Sequence, residues 1–439
     1  MTTHIADFIA RYVRSDAARL HMPGHKGRGL PEAAFDITEI EGADALYEAD
    51  GVIAESEVNA AAIFGTGRTA YSTEGSSQCI RAMLYLAATY RGEGMGRFAL
   101  AGRNAHKTFV HAAALCGFDA MWLYPEGEQT SPCACPISPE RLDGVLGSLK
   151  EKPFCVYVTS PDYLGNVLDI AGLSRVCRER GVPLLVDNAH GAYLRFMEND
   201  LHPISLGADM CCDSAHKTLS ALTGAAYLHI SKSAPAAWRA HAKEAMALFG
   251  STSPSYLTLR SLDLCNASLS GDYPARLRAC TDRLDDLKSD LMKRGFRLAG
   301  DERLKLSLRC DGRATAARLR QAGVECEFAD GDHLVMMFSP ENSERDFERV
   351  SAALGEPDCH ESEPWTPPVL PAVMSLREAV FRRAVTLPVQ KAVGRICAAP
   401  TVACPPAIPI AVSGEVITPE AVEALLRFDV NEVSVVEDE

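Results

Sequence analysis

The stretch ADMCCDSAHKTLSALTGAAYLHIS (208–231) decides how the fold is read. Two short apolar runs, ADMCCDSAH and GAAYLHIS, read as strands that flank a loop of small residues. That loop carries a single lysine, Lys217, three residues after Ser214 and one after His216. No acidic residue follows before Leu228. A surface lysine usually keeps charged company, so Lys217 either decorates a loop or supplies an amine in dry surroundings.

Upstream, the same alternation continues. PLLVDNAHG (183–191), FCVYVTSPD (154–162) and RFALAG (97–102) read as strands. CIRAMLYLAATYRG (79–92) carries a helical stripe of Ile80, Met83, Leu84, Ala87 and Ala88. AHKTFVHAAALCG (105–117) reads as a helix stopped by Gly117. DIAGLSRVCRERG (169–181) reads as a helix capped by Asp169 and ended by Gly181. Apolar strands alternating with helices predict an α/β fold with a mostly parallel sheet covered on both faces. Ligands then bind at the carboxyl ends of the strands. Ser160, Asp187, His190, Ser214, His216 and Lys217 each follow an apolar run, which places them there.

Farther along, LRACTDRLDDLKSDLMKRG (277–295) is a long amphipathic helix. A strand at RLKLSLRC, a helix across 313–322 and a strand at HLVMMFSP give a smaller α+β domain. ESEPWTPPVLP (361–371) packs in four prolines and reads as a linker. A helix around SLREAVFRRAV and the proline-rich CPPAIPIAVSGEVIT form a third, small unit. The resulting division is an N-terminal arm (1–30), a large domain (31–265), a small α+β domain (266–360) and a C-terminal domain (361–439).

The chain has 439 residues, 47% hydrophobic and 23% charged, as an ordinary globular protein of several domains does. Its net charge of −14 argues against nucleic-acid binding, which needs a basic face. No apolar run approaches a membrane span. The first twenty residues mix charged and apolar positions and predict an amphipathic helix, not a signal peptide. Fifteen cysteines form no spaced framework, so reduced thiols in a cytoplasmic protein are expected. The Cys133-x-Cys135 pair lacks a second pair at zinc-site spacing, and no metal is expected.

Asp187 and Lys217, each after its own strand, together fit pyridoxal phosphate. A lysine amine must be neutral to form an imine with the cofactor aldehyde, which burial and nearby cations favour. A carboxylate keeps the pyridine nitrogen protonated and makes the ring an electron sink. An unrelated lysine and a turn-capping aspartate would give the same spacing. STEGSSQCIRAML (72–84) adds Gly75, Ser76 and Ser77 before a helix, where free N–H groups and hydroxyls hold phosphate. It is equally an ordinary serine cap. Ser214 and His216 could donate to the same phosphate. His106 in GRNAHKTF and His190 in DNAHG are candidates to flank the ring.

HMPGHKGRG (21–29), DITEI (36–40), GRNAHKTF (102–109), TSPDYLGNVLDI (159–170), LLVDNAHGAY (184–193), DSAHKTLSALTGAAYLH (213–229) and TSPSYLTLRSLD (252–263) occur in this order. With LPVQKAVGRICAAP (387–400) and PPAIPIAVSGEVIT (405–418), they span almost the whole chain. The set resembles the ornithine/lysine/arginine decarboxylase family, pyridoxal-phosphate enzymes of the aspartate-aminotransferase fold (fold type I). The resemblance places the imine at Lys217, the pyridine partner at Asp187 and ring stacking at His106. It assigns phosphate contacts to Ser76, Ser77, Ser214 and His216. It sets Lys26 and Lys107 aside. The chain resembles the family's short form, without a receiver-like N-terminal domain.

There are departures. The family's short forms usually read D-E-A-H where Asp187-Asn188-Ala189-His190 stands, and N-G-T-[ST] where Glu74-Gly75-Ser76-Ser77 stands. Asp162 replaces a common threonine, and Cys404-Pro405-Pro406-Ala407 replaces Y-P-P-G. The implied activity is decarboxylation of arginine, lysine or ornithine to the corresponding amine, in polyamine-type metabolism. The alternatives are another reaction of the same cofactor, an aminotransferase or lyase, and a non-catalytic protein on this fold. Asp162, Glu74 and acidic residues from a partner subunit are candidates, unranked, to receive the substrate's distal cation. The fold implies a homodimer with shared active sites, to which TSPSY (252–256) contributes.

Overall fold

The computed structural model describes residues 1–357, 361–400 and 407–438. The expectations attached to Cys404, Pro405 and Pro406 therefore lie outside the described residues. Its main strands are β1 (Arg68–Ser72), β2 (Phe98–Gly102), β3 (Asp119–Leu123), β4 (Cys155–Thr159), β5 (Leu184–Asp187), β6 (Met210–Asp213) and β7 (Ala226–Ile230). Every residue of β5, β6 and β7 is buried. That explains why they read as continuous apolar runs: a strand covered on both faces has no polar side.

The chain divides into two compact units. The first comprises Met1–Arg91 and Pro183–Arg278, the second Gly92–Val182 and Ala279–Glu439. In the first unit the strand order is β1-β7-β6-β5. β5 and β6 are parallel, with Asp187 opposite Cys212. β7 runs antiparallel to both β6 and β1. The reason is the connection: a parallel crossover needs a dozen or more residues, usually a long helix. The β6–β7 connection (214–225) holds only a four-residue helix, too short to carry the chain back along a face of the sheet, so the chain turns back. Lys217 sits on that loop.

Helices α1 (His4–Arg14), α2 (Val52–Phe64) and α3 (Ser76–Thr89) belong to the first unit. α3 begins directly after Gly75, whose φ of +74° only glycine adopts cheaply. The second unit carries β4-β2-β3, all parallel, with α4 (Lys107–Cys116), α5 (Pro139–Ser148) and α6 (Ile170–Arg180). α6 starts as expected: the Asp169 carboxylate accepts from Gly172 N at 2.9 Å, a cap worth about 1 kcal/mol. It ends at Gly181 in the left-handed conformation. The lysine-bearing α7 (Ala215–Thr218) returns to the first unit.

The second unit also holds an antiparallel sheet of β8 (Arg297–Ala299), β9 (Lys305–Arg309), β10 (Phe328–Ala329) and β11 (His333–Met337), in the order β10-β11-β9-β8. A two-stranded sheet pairs β12 (Ala384–Pro388) with β13 (Glu432–Val436). The expected helix at 375–385 is only Leu376–Val380; its second half becomes β12. Alternating Val385 and Leu387 pack into the small core of Val389, Ile417, Leu425 and Val433, and period-2 burial wins over local helical pattern. The proline-rich stretch 361–371 is packed. Trp365 exchanges both backbone hydrogen bonds with Gln129, and Leu370 joins that same core. Among the described residues no helix is long and apolar enough to cross a membrane.

Candidate active site

Asp187 is the last residue of β5 and is 3% exposed. Its Oδ1 accepts from Ala189 N at 3.2 Å and from the Cys212 thiol at 3.6 Å. The Cys212 thiol is pushed well up, first by burial and then by the Asp187 charge, so it remains a donor. Ser214 follows β6. Its hydroxyl is buried and has no hydrogen-bond partner among the described residues. Although Ser214 stands at the N-cap of α7, its side chain caps nothing. His216 points Nδ1 at the carbonyl of Ala225, 2.9 Å away. Lys217 and His190 bring their side chains together, with Nζ and Nε2 3.0 Å apart.

The loop before α3 meets the lysine loop through its backbone: Gly75 N donates to Gly224 O at 2.7 Å. Gly224, at φ +93°, is required there, because a Cβ would stand 2.6 Å from Thr73 O. A Cβ on Gly75 would meet nothing within 4 Å, and no side chain caps α3. Ser76 and Ser77 are its first residues. The space beside Gly75 at the start of α3 is thus open, as an anion-binding helix start requires.

Seven of the eight expected site residues, namely Asp187, His190, Ser214, His216, Lys217, Ser76 and Ser77, lie in the first unit. His106 lies in the second. There it caps α4, its Nδ1 accepting from Thr108 N at 3.2 Å. The same ring nitrogen lies 2.8 Å from the Thr108 hydroxyl. This capping role was not legible in the sequence, since histidine is not a common cap.

Both candidates for the distal-cation receptor already hold partners in the protomer. Asp162 is 4% exposed and holds its own loop: Oδ1 accepts from Leu164 N at 2.9 Å and Asn166 N at 3.0 Å, and Oδ2 from Asn166 Nδ2 at 2.6 Å. Burial raises its pKa to about 6. A carboxylate already committed to three donors is a loop anchor. Glu74 is exposed, but its carboxylate accepts the backbone N–H of Ser251.

Sequence reasoning missed a buried network behind β5 and β6. Asp213, 0% exposed, accepts from Asn188 Nδ2 at 2.6 Å on Oδ1. Its Oδ2 lies 3.0 Å from His202 Nε2 and 3.3 Å from His229 Nε2. Burial alone would raise the Asp213 pKa, but the two histidines outweigh it and hold the carboxyl well below the ordinary range. His202, Cys211 and Asp213 bring three atoms of ligand type within 4.8 Å of one another. The hydrogen bonds already made by Asp213 account for that closeness. Also missed was Arg103–Glu415, a buried pair at 3.3 Å in the second unit. Arg103 donates to the carbonyls of Pro409 and Ile410, while Lys107 N, next to His106, donates to Ala407 O at 2.9 Å. A pairing 312 residues apart leaves no local pattern to read.

A family profile described as Orn/Lys/Arg decarboxylase, major domain, matches residues 5–295. The chain belongs to this family of amino-acid decarboxylases. Arginine decarboxylase of Bacillus subtilis is 27% identical over 95% of this chain and 92% of that protein. Arginine decarboxylase of Halalkalibacterium halodurans is 28% identical over 93% and 90%. Among solved structures, lysine decarboxylase LdcF of Francisella novicida superposes with a TM-score of 0.80 at 15% identity, over 99% of this chain and 81% of that one. Serine palmitoyltransferase of Sphingomonas wittichii gives 0.56 at 15% identity, over 80% and 82%. These structures establish the fold, an α/β architecture of fold type I.

Proposed function

We propose that this protein decarboxylates a basic amino acid, arginine before lysine or ornithine, with pyridoxal phosphate held at Lys217. The carrying observation is that Asp187 ends β5 and Lys217 lies on the loop after β6, at the carboxyl ends of these adjacent parallel strands and inside the stretch that matches the family. The preference for arginine rests on the arginine decarboxylases that are similar to this chain nearly end to end.

The residues fit the cofactor. The unpartnered Ser214 hydroxyl and the uncapped, open start of α3 are where a phosphate would be held, with Ser76, Ser77 and His216 as further donors. Lys217 would supply the amine for covalent attachment, and the His190 ring lies beside it at 3.0 Å. Asp187, nearly devoid of solvent, would hold a proton on the pyridine nitrogen. His106 would stack on the ring, as the family resemblance implies. When bound, the cofactor supplies an electron sink for the pair of electrons left on the α-carbon as carbon dioxide departs. The assembly is read as a homodimer in the cytoplasm.

The test is an assay of purified, cofactor-loaded protein on arginine, lysine and ornithine, reading carbon dioxide and amine. Turnover of arginine above the other two supports the reading. An oxo acid as product, or no release of carbon dioxide from any of the three, overturns it.

A further inference from the structure

β5 and β6 carry the two halves of the site, and their hydrogen-bond ladder ends where the site begins. Its last backbone bond runs from Asn188 N to Cys212 O at 3.1 Å. Beyond it a side-chain bond continues the connection: Asn188 Nδ2 donates to Asp213 Oδ1 at 2.6 Å. Asn188 directly follows Asp187, and Asp213 directly precedes Ser214. Successive strand residues face opposite sides of a sheet. Asp187 pairs with the Cys212 thiol on one side, while Asn188, Asp213 and His202 meet on the other. The bond therefore ties the two site-bearing strand ends together from behind.

We propose that the Asn188–Asp213 bond positions the cofactor residues by fixing the spacing between Asp187 and the Ser214–Lys217 arm. The inference rests on the reading of that site as the pyridoxal-phosphate site. Both partners are 0% exposed, so neither has water as a substitute. Asp213 accepts only, which forces the amide to present its nitrogen; the amide oxygen is buried and has no partner among the described residues. That polarity explains the departure at 188. The glutamate usual in the short forms would set a second carboxylate against an ionised Asp213, whereas an amide supplies the donor. Asn188 is thus a positioning residue, and its identity follows from Asp213 and not from the substrate.

The test compares Asn188→Asp and Asn188→Ala with the wild type, measuring pyridoxal-phosphate affinity by absorbance and the melting temperature of the cofactor-free protein. The titratable groups on the side of the Asn188–Asp213 bond are Asp213 itself, His202, His229 and Cys211, while Asp187 and Cys212 lie on the opposite side. Two carboxylates in contact cannot both ionise, and their first shared proton is held to raised pH. Asn188→Asp should bind the cofactor at least about tenfold more weakly at neutral pH and recover as the pH falls. A shared proton then restores the bond. Asn188→Ala should bind weakly at every pH and, having taken a buried donor from Asp213, should also melt at a lower temperature without cofactor. Wild-type affinity in either variant at neutral pH overturns the inference. So does weakened binding that tracks a lowered melting temperature with no recovery in Asn188→Asp. If the wild type itself fails to bind the cofactor, the reading of the site fails instead.

Discussion

The amine of Lys217 lies 3.0 Å from Nε2 of His190, joining the loop after β6 to the loop after β5. That contact places the amine beside an imidazole at the ends of the two strands. Replacing Lys217 by alanine should remove the borohydride-reducible bond between protein and pyridoxal phosphate and end turnover. Lys26→Ala and Lys107→Ala should keep it: Lys26 donates to the His21 carbonyl, and Lys107 is the first residue of α4. Mass spectrometry after reduction reads the outcome directly. A reducible bond that persists in Lys217→Ala would remove this lysine from the role.

Asp187→Ala should cost more in rate than in cofactor affinity. The carboxylate is needed most when negative charge builds on the ring, so its loss falls on the transition state. Removing one partner of a buried charged pair costs about 3 kcal/mol or more, which is a rate loss of ~100-fold or more. Steady-state kinetics beside a cofactor titration separates the two quantities. A variant within a few-fold of wild type would disprove the assignment.

Asp162 makes a pH signature expected. Its folded-state pKa is raised from 3.8 to about 6 by burial. The folded protein therefore binds more protons at this group than the unfolded chain between those values, and stability falls as pH rises through that window. Asp162→Asn keeps an oxygen for the Leu164 and Asn166 N–H groups but carries no titrating proton. Melting curves across mildly acid pH should show a fall in the wild type that is flatter in the variant. A steeper fall in Asp162→Asn would contradict the loop-anchor role.

Ala407 has φ +58°, in the left-handed region, at a position where the resembling tails usually carry glycine. An L-residue pays about 1–2 kcal/mol there, and glycine returns part of it as unfolded-state entropy. Ala407→Gly should therefore stabilise the protein by about 0.5–1 kcal/mol, seen as a small rise in melting temperature. The carbonyl of Ala407 still receives the Lys107 N–H, so activity should persist. A lowered melting temperature would mean that the methyl group contributes packing which outweighs the backbone strain.

The elements that were legible in the sequence share one property: their signals are local. Asp169 and Gly181 bracket α6, Gly117 ends α4, and Leu184–Val186 is an unbroken apolar run, so each could be read from its own dozen residues. The placing of Asp187 and Lys217 at strand ends was legible because each follows its own apolar run. The misses are relational. That Asp162 spends its carboxylate on its own loop, and that Asn188 answers to Asp213, depends on pairings that periodicity does not encode. The direction of β7 was not legible: its apolar pattern is the same for either direction, and the connection 214–225 is long enough for either.

The last prediction concerns assembly. Thr252 and Ser253 are exposed in the protomer, whereas Pro254 beside them is buried and Ser255 caps the following helix by accepting from Thr258 N at 3.3 Å. The segment is thus held at its far end while its first hydroxyls face outward. Proline fixes the local backbone and hence where those hydroxyls point. In a two-fold dimer, an outward hydroxyl of one protomer can serve the phosphate site of the other, and closed two-fold symmetry is the commonest assembly. Subunits carrying Lys217→Ala should be inactive, as should subunits with both Thr252→Ala and Ser253→Ala. Hybrids of the two would contain one site with all the defects and one with none, so mixing should restore part of the activity. Native mass spectrometry counts the hybrids. If hybrids form, each parent is inactive and no activity returns, then each site is built from a single chain and the shared-site reading fails.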